Sequence, residues 1–380
     1  MAPDMRPVIV AAARTPIATA GGALAQVPVE GLAAPVLSSL DDSLADLDSE
    51  LLDVVLGNCM GPGGNVARLC SLQAGLGEKI PAVTVDRQCA SGLAAILLGA
   101  GELLMTPGAV IAGGVESAST APVRTWPKGH VREGQVYERA PFAPDGWPDP
   151  DMGVAADLLA DIRGISRERQ DAYASRSHAR ARKAQELGHF SHEIVRVEGM
   201  SRDDRPRVSF TPDRLSRFPA AFREGGTVTA ANSCGINDGC AAVAIVDGAT
   251  ASRLGVTGLR IMSSAVTGVD PGQPALGLVP AAEAAVRLAG LTFDEVDVIE
   301  FNEAFAVQML ACADDLGIDD SRICEEGGAL ALGHPWGASG AVIMVRLFHR
   351  MVTRDAGRYG LAAIASGGGQ GVAVVVELCR

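Results

Sequence analysis

Aromatic residues make up only 4% of the 380-residue chain, so no platform for stacking bases or sugars is expected. No run of Lys or Arg is present, and the formal net charge is −13, which excludes a basic face for nucleic acid. The longest apolar stretches, such as 94–100, are far too short to span a bilayer. The eight cysteines (Cys59, Cys70, Cys89, Cys234, Cys240, Cys312, Cys324 and Cys379) form no CxxC pair and no His-flanked pattern, which argues against a zinc site. A chain of this size needs no disulfide staples, and no signal peptide is read before Arg14. Reduced thiols in a cytoplasm are therefore expected. A soluble enzyme and an acidic binding module remain.

What the chain has is glycine, 45 residues, and a 48% share of hydrophobic residues. That suits close helix–sheet packing and tight turns over a large buried core. Apolar runs at 7–13, 52–57, 82–85 and 108–114 read as strands. Helical patterns at 29–41, 67–74 and 91–105 lie between them. Strands without polar alternation, separated by helices, predict a parallel sheet covered on both faces. From Ser119 to Gly235 the composition shifts to Pro, Trp, Asp and Arg, as in an inserted region. Within it, 166–187 predicts a helix capped by Ser166. Strand character returns at 240–246. The stretch 259–380 then repeats the earlier plan, with strands at 259–266, 296–300 and 360–365 and helices at 281–288 and 338–351. In each half a reactive residue opens a small-residue helix, and the next strand ends in glycines. A duplicated α/β unit is the plainest reading.

Four segments can carry chemistry. Cys89, in Asp86-Arg87-Gln88-Cys89-Ala90-Ser91-Gly92, sits where a strand turns into a helix. The positive end of the helix is expected to lower its pKa and favour a nucleophilic thiolate; the alternative is a buried, inert thiol. His334, fixed between Gly333 and Pro335, suits a base or an oxyanion donor, or else a turn histidine satisfied by backbone. Asn302 follows a predicted strand end, where open α/β sheets bind ligands. It could donate to an oxyanion or cap the next helix. Gly367-Gly368-Gly369-Gln370-Gly371 exposes backbone N–H groups for an oxyanion pocket facing Cys89; no Lys or Ser/Thr pair follows it to support a phosphate loop.

Together these segments resemble the thiolase family along nearly the whole chain. Ala13-Arg14-Thr15-Pro16 with Gly21-Gly22, Cys89-Ala90-Ser91-Gly92, 112–117, 226–230, Asn237-Asp238-Gly239, 268–271, 302–306 and 327–340 follow in the family's order. The resemblance implies a thiolase fold of two similar βαβαβ-type halves in α-β-α-β-α layers. The implied halves are 1–118 plus 236–255 and 256–380, with an inserted loop domain, 119–235, that cradles coenzyme A. It implies a homodimer or homotetramer, alone or within a larger complex. It also implies that a thioester of coenzyme A or an acyl carrier is the substrate, with no permanently bound cofactor. By position Cys89 looks like the acylated nucleophile and His334 like its activator. Asn302 looks like the anchor of a water in one oxyanion hole, and Gly367 with Cys89 like a second hole. Met152, Arg207, Phe222, Ala230, Cys234, Ala304 and Phe305 fall where the family lines its coenzyme A channel.

The departures cluster near the pocket. The family's Cys-x-Gly-Gly-Gly reads Ala365-Ser366-Gly367-Gly368-Gly369 here, so the cysteine that moves protons is replaced by Ala365. Asp151 stands for a usual His, Cys234 for a Ser and Pro274 near a usual Met; Cys324-Glu325-Glu326 replaces an Asn-rich segment. Three readings follow. In the first, Cys89 is acylated and the acyl group goes to a carbon, amine or hydroxyl acceptor, including a malonyl-type thioester that loses carbon dioxide. In the second, a conventional thiolase carries a substituted acid/base at Cys234, Cys324 or Ser366. In the third, the chain is a non-catalytic subunit of a complex.

Overall fold

The computed structural model describes residues 5–45, 47, 49–137 and 139–380; residues 1–4, 46, 48 and 138, inside the expected N-terminal half and insert, lie outside that description. The N-terminal half contributes strands β1 (Val8–Arg14), β2 (Leu51–Gly57), β3 (Ala82–Val85), β4 (Ala109–Ser117) and β5 (Asn237–Val246). The C-terminal half contributes β6 (Gly258–Gly268), β7 (Val298–Phe301), β8 (Tyr359–Ser366) and β9 (Gln370–Cys379). With the two-residue strand Ala18–Thr19 they make one ten-stranded sheet.

The duplication is explicit in the strand order. The first half runs β3-β2-β4-β5-β1 and the second runs β7-β8-β9-β6, with a bridge from Ile299 to Ile323 in the place of β3. In both halves the outer pairs are parallel and the last two pairs antiparallel. The two first strands then meet, Val8 opposite Arg260 and Ile9 opposite Leu259, also antiparallel. The expected parallel sheet is thus corrected to a mixed one. A strand buried on both faces is apolar throughout whichever way its neighbour runs, so the sequence could not show that β5 and β9 return antiparallel.

Helices α1 (Val29–Ala45) and α2 (Val66–Gln73) cover the outer face of the first half. Between them and the sheet lies one apolar cluster that includes Leu32, Val36, Leu40, Val54, Ile111 and Val246. Helices α6 (Leu278–Ala289) and α7 (Ala306–Leu316) cover the second half, together with α4 (Met152–Arg163) and α5 (Arg167–Glu186) of the insert. Between the halves lie α3 (Ser91–Glu102) and α8 (Trp336–Phe348), packed on each other. These layers are the expected α-β-α-β-α order.

Small residues make the central contact. The two helices open with the related tetrapeptides Cys89-Ala90-Ser91-Gly92 and Gly337-Ala338-Ser339-Gly340. A Cβ on Gly92 would lie 2.8 Å from the Ala341 nitrogen, and one on Gly340 would lie 2.5 Å from the Leu93 nitrogen. The backbones cross where only hydrogen fits. This crossing brings the start of α3 beside the start of α8, and it positions the site.

The insert is tied to the first half by Arg14. Its fully buried guanidinium contacts Asp203 at 2.7 Å and Glu193 at 2.7 Å. Among the described residues no helix is long and apolar enough to cross a membrane.

Candidate active site

Cys89 stands on a strained elbow. Gln88 before it has φ of +50°, a left-handed conformation that costs a side-chain-bearing residue about 1–2 kcal/mol. Local hydrogen bonds hold it there. The Gln88 N–H donates to Asp86 Oδ1 at 2.7 Å, and the Ser91 hydroxyl accepts from Arg87 N–H at 2.7 Å while donating to the Gln88 carbonyl at 2.6 Å.

The residue is partly exposed, but protein crowds its sulfur. Burial pushes the thiol up to about 12, with further upward pressure from Cys234 and Glu116. The N–H groups of Cys89 and Gly367 act on it in the opposite sense. The lowered pKa expected from the helix terminus is therefore corrected: desolvation outweighs it, and the resting residue is a thiol.

His334 is positioned from the other half. Its N–H donates to Asn237 Oδ1 at 2.9 Å, at the start of β5, and Nδ1 meets the Ser339 hydroxyl at 2.6 Å. Burial lowers its pKa to about 4, so the ring is neutral near pH 7. With Nδ1 engaged, Nε2 is the nitrogen left for exchange with a thiol or a thioester oxygen.

Cys89 and His334 line one cavity of about 90 Å3, large enough for a short acyl group. Met152, Cys234, Ala304 and Phe305 line it too. Phe222 stands one layer out, its ring edge-on to Phe305 with centroids 6.0 Å apart. Arg207 and Ala230 do not line the cavity. The Arg207 N–H donates to His178 Nδ1, and Ala230 lies exposed on a loop.

Asn302 is buried outside the Cys89 cavity. It lines a second, smaller one with Gly333 and Ser339, and among the described residues its Nδ2 has no partner. It does not cap α7, whose N-cap position is Phe305. A buried, unpaired amide donor beside a small cavity suits the anchoring of a water.

Ala365 lines the Cys89 cavity, whereas the next residue on β8, Ser366, turns its buried hydroxyl to the opposite face. Gly367–Gly369 then turn the chain directly into β9, with φ of +77° and +73° at Gly368 and Gly369. The ring of Phe142, from the insert, packs on Gly367, where a Cβ would lie 2.5 Å from it.

Other departures prove architectural. Asp151 caps α4, accepting from Gly153 N–H at 3.0 Å. Cys324 lies outside the cavity and donates to the Phe301 carbonyl at 3.1 Å. Glu326 pairs with Arg346 and Arg354, and Glu325 with Arg350. Sequence reasoning missed Ala155, Ala275, Gln308 and Trp336 in the cavity wall, and it noted Pro274 without a role. Trp336 directly follows His334-Pro335, and Gln308 sits on the first turn of α7 beyond Asn302, so proximity to those motifs was the available signal.

Comparison with known proteins agrees with this architecture. Residues 7–249 match the family model "Thiolase, N-terminal domain" and residues 254–378 match "Thiolase, C-terminal domain". The chain is 42% identical to YhfS of Bacillus subtilis over 98% of its length and 100% of the relative's. It is 40% identical to the acetyl-CoA acetyltransferase of Pseudomonas aeruginosa over 97% of this chain and 98% of that one. The crystal structure of the Bacillus anthracis acetyl-CoA acetyltransferase superposes with a TM-score of 0.91 at 34% identity, covering 98% of this chain and 99% of the other.

Proposed function

The chain belongs to the thiolase family and is an acyltransferase of that superfamily; from that premise we propose that Cys89 takes an acyl group from a coenzyme A thioester and passes it to a carbon acceptor. The observation that carries this reading is the shared cavity: Cys89 from one half and His334 from the other face the same space. His334 Nε2 accepts the Cys89 proton as sulfur attacks the thioester carbonyl. The negative charge that develops on the carbonyl oxygen is met by donors from two sides. One set is the backbone N–H groups of Cys89 and Gly367; the other is the His334 Nε2–H once the ring has taken the Cys89 proton. Resting proton positions favour the neutral thiol–imidazole pair, so proton transfer accompanies attack rather than preceding it. Met152, Cys234, Ala304 and Phe305 form the wall along which the pantetheine arm reaches the sulfur.

The test is intact mass after incubation with a panel of acyl-CoAs, with Cys89→Ala as control. A mass gain that the control loses supports the reading. No gain with any acyl-CoA or acyl-carrier thioester overturns it in favour of a non-catalytic role.

A second reading has its own support. Ala365 presents a methyl group to the cavity where the family carries a proton-moving cysteine. An acceptor that generates its own carbanion by losing carbon dioxide, or an amine or hydroxyl, needs no α-proton base. Product formation from the loaded enzyme with malonyl-CoA but not with acetyl-CoA would select it. Assembly as a homodimer or homotetramer is read by light scattering of the purified chain.

A further inference from the structure

The cavity holds one more group able to move a proton. Among the described residues Cys89 and Cys234 are the only thiols that line it, and with His334 they are its only titratable side chains. The other candidates are placed elsewhere. Cys324 lies outside and donates to the Phe301 carbonyl; the Ser366 hydroxyl is on the far face of β8; Cys59 donates to the Gln88 carbonyl behind the elbow. Glu303 accepts from Tyr173, Ser177 and Leu330 and does not reach the cavity.

Cys234 is also firmly placed. Its N–H donates to the Ala304 carbonyl at 2.9 Å, and neighbouring Ser233 bridges to Phe305, so the segment is pinned to the Asn302–Phe305 loop. The Arg205 guanidinium packs against Gly235, where a Cβ would lie 2.2 Å from Nη1. This cation is poorly compensated. Among the described residues its one side-chain hydrogen bond is a long one, 3.5 Å, to the Leu330 carbonyl, and its buried Nε has no partner. Burial raises the Cys234 thiol to about 11, and Arg205 is the charge that opposes this. An under-paired cation beside a thiol favours the thiolate.

We propose that Cys234 is the proton-transferring catalytic residue of the carbon–carbon step, with Arg205 as its positioning and charge-stabilising partner, in place of a group at Ala365. The assignment rests on the acyl-enzyme reading above. The acceptor is then an acyl-CoA that carries α-protons. In the loading step the Cys89 proton passes to His334, the C–S bond to coenzyme A breaks, and the departing thiolate takes the Cys234 proton. In the second step the Cys234 thiolate removes the α-proton. The carbanion attacks the acyl carbon on Cys89, a C–C bond forms, and the C–S bond to Cys89 breaks. The Cys89 thiolate recovers a proton from the His334 imidazolium. Both thiols and the neutral imidazole are regenerated, and no oxidant or further reactant is consumed. Thiolysis is the same sequence reversed.

The test pairs Cys89 loading by intact mass with turnover of acetyl-CoA and, in reverse, of acetoacetyl-CoA plus coenzyme A. Cys234→Ala is expected to load more slowly, because the departing thiolate loses its proton donor, yet still to gain the acyl mass on Cys89, while turnover falls about 10²–10⁴-fold. Cys234→Ala with Ala365→Cys is expected to recover turnover, because Ala365 lines the same cavity and a thiol returns to it there. Arg205→Met is expected to move the rising limb of the turnover–pH profile to higher pH. Cys234→Ala that loads and turns over within twofold of wild type overturns this assignment alone. Wild-type protein that loads yet turns over no α-proton-bearing thioester also overturns it. Wild-type protein that fails to load overturns the acyl-enzyme reading as well.

Discussion

The two halves share a strand order but differ at one topological point, the connection between the fourth strand and its antiparallel return. In the N-terminal half β4 ends at Ser117 and β5 begins at Asn237, and the whole insert hangs from that gap. In the C-terminal half β8 ends at Ser366 and β9 begins at Gln370, leaving a turn of three glycines. One connection became a cover for the cavity, supplying Met152 and Cys234. The other stayed bare, and the Gly367 N–H opposes the upward shift of the Cys89 thiol. The two connections meet, since Phe142 of the long one packs on Gly367 of the short one. The elbows differ in the same way. The N-terminal one presents Cys89 held as a thiol, the C-terminal one an imidazole held neutral, and both are set by burial.

Replacing each reactive group separates these roles most sharply. Cys89→Ala is expected to abolish acyl loading, whereas His334→Ala should slow it by about 10²–10⁴-fold and leave the final mass gain intact. Rapid-quench mass spectrometry distinguishes the two. Equal loss in both variants would mean that the elbows act as one unit.

Acid should break the C-terminal elbow first. His334 and His178 are lowered by burial from 6.5 to about 4 and about 3. The unfolded chain then binds more protons than the folded one at any pH between those values and 6.5, so stability falls as pH is lowered through that window. For His334 the loss is on the order of 3 kcal/mol by pH 4. Denaturant midpoints measured from pH 7 to 4 check this; a flat profile would show that the ring is solvated or charged in the folded state.

A smaller effect is expected where the halves touch. Gly340→Ala places a methyl 2.5 Å from the Leu93 nitrogen and should cost about 2–3 kcal/mol, read as a lowered midpoint of unfolding. The smallest concerns the two connections. Phe142→Ala uncovers Gly367 and should cost about 1–2 kcal/mol while slowing acyl loading. Unchanged loading in a stable variant would separate the cover from the oxyanion donors.

Much of this molecule was legible because its strands are uninterrupted apolar runs. The β1, β2 and β3 segments and the helices at 29–41 and 67–74 emerged within a few residues, and β3 at its observed ends. The β9 strand was overlooked, its start hidden behind the glycine run that drew attention as a site. The helix at 306–316 was obscured in the same way by the Asn302 motif. At the site, Cys89 was singled out by its strand-to-helix turn and His334 by its setting between Gly333 and Pro335. The sign of the Cys89 shift could not, because a helix terminus is a local feature whereas desolvation is imposed by residues distant in the chain. The acidic pair Glu325-Glu326 looked like a change to the pocket; its partners, Arg346, Arg350 and Arg354, lie a helix away and show it to be a clamp on α8 and the wider turn that follows.

The join between β1 and β6 bears on ancestry. Each half, taken as a separate polypeptide, would expose its first strand as an unpaired edge, a template for a second copy. The antiparallel Val8–Arg260 and Ile9–Leu259 contacts are the geometry two identical copies would adopt across a twofold axis. A self-pairing half-length precursor would already have set two helix starts against each other at the crossing of Gly92 and Gly340. A single chain that joins two such copies is free of that identity, so the start of α3 can follow a cysteine, Cys89, and the start of α8 a histidine, His334.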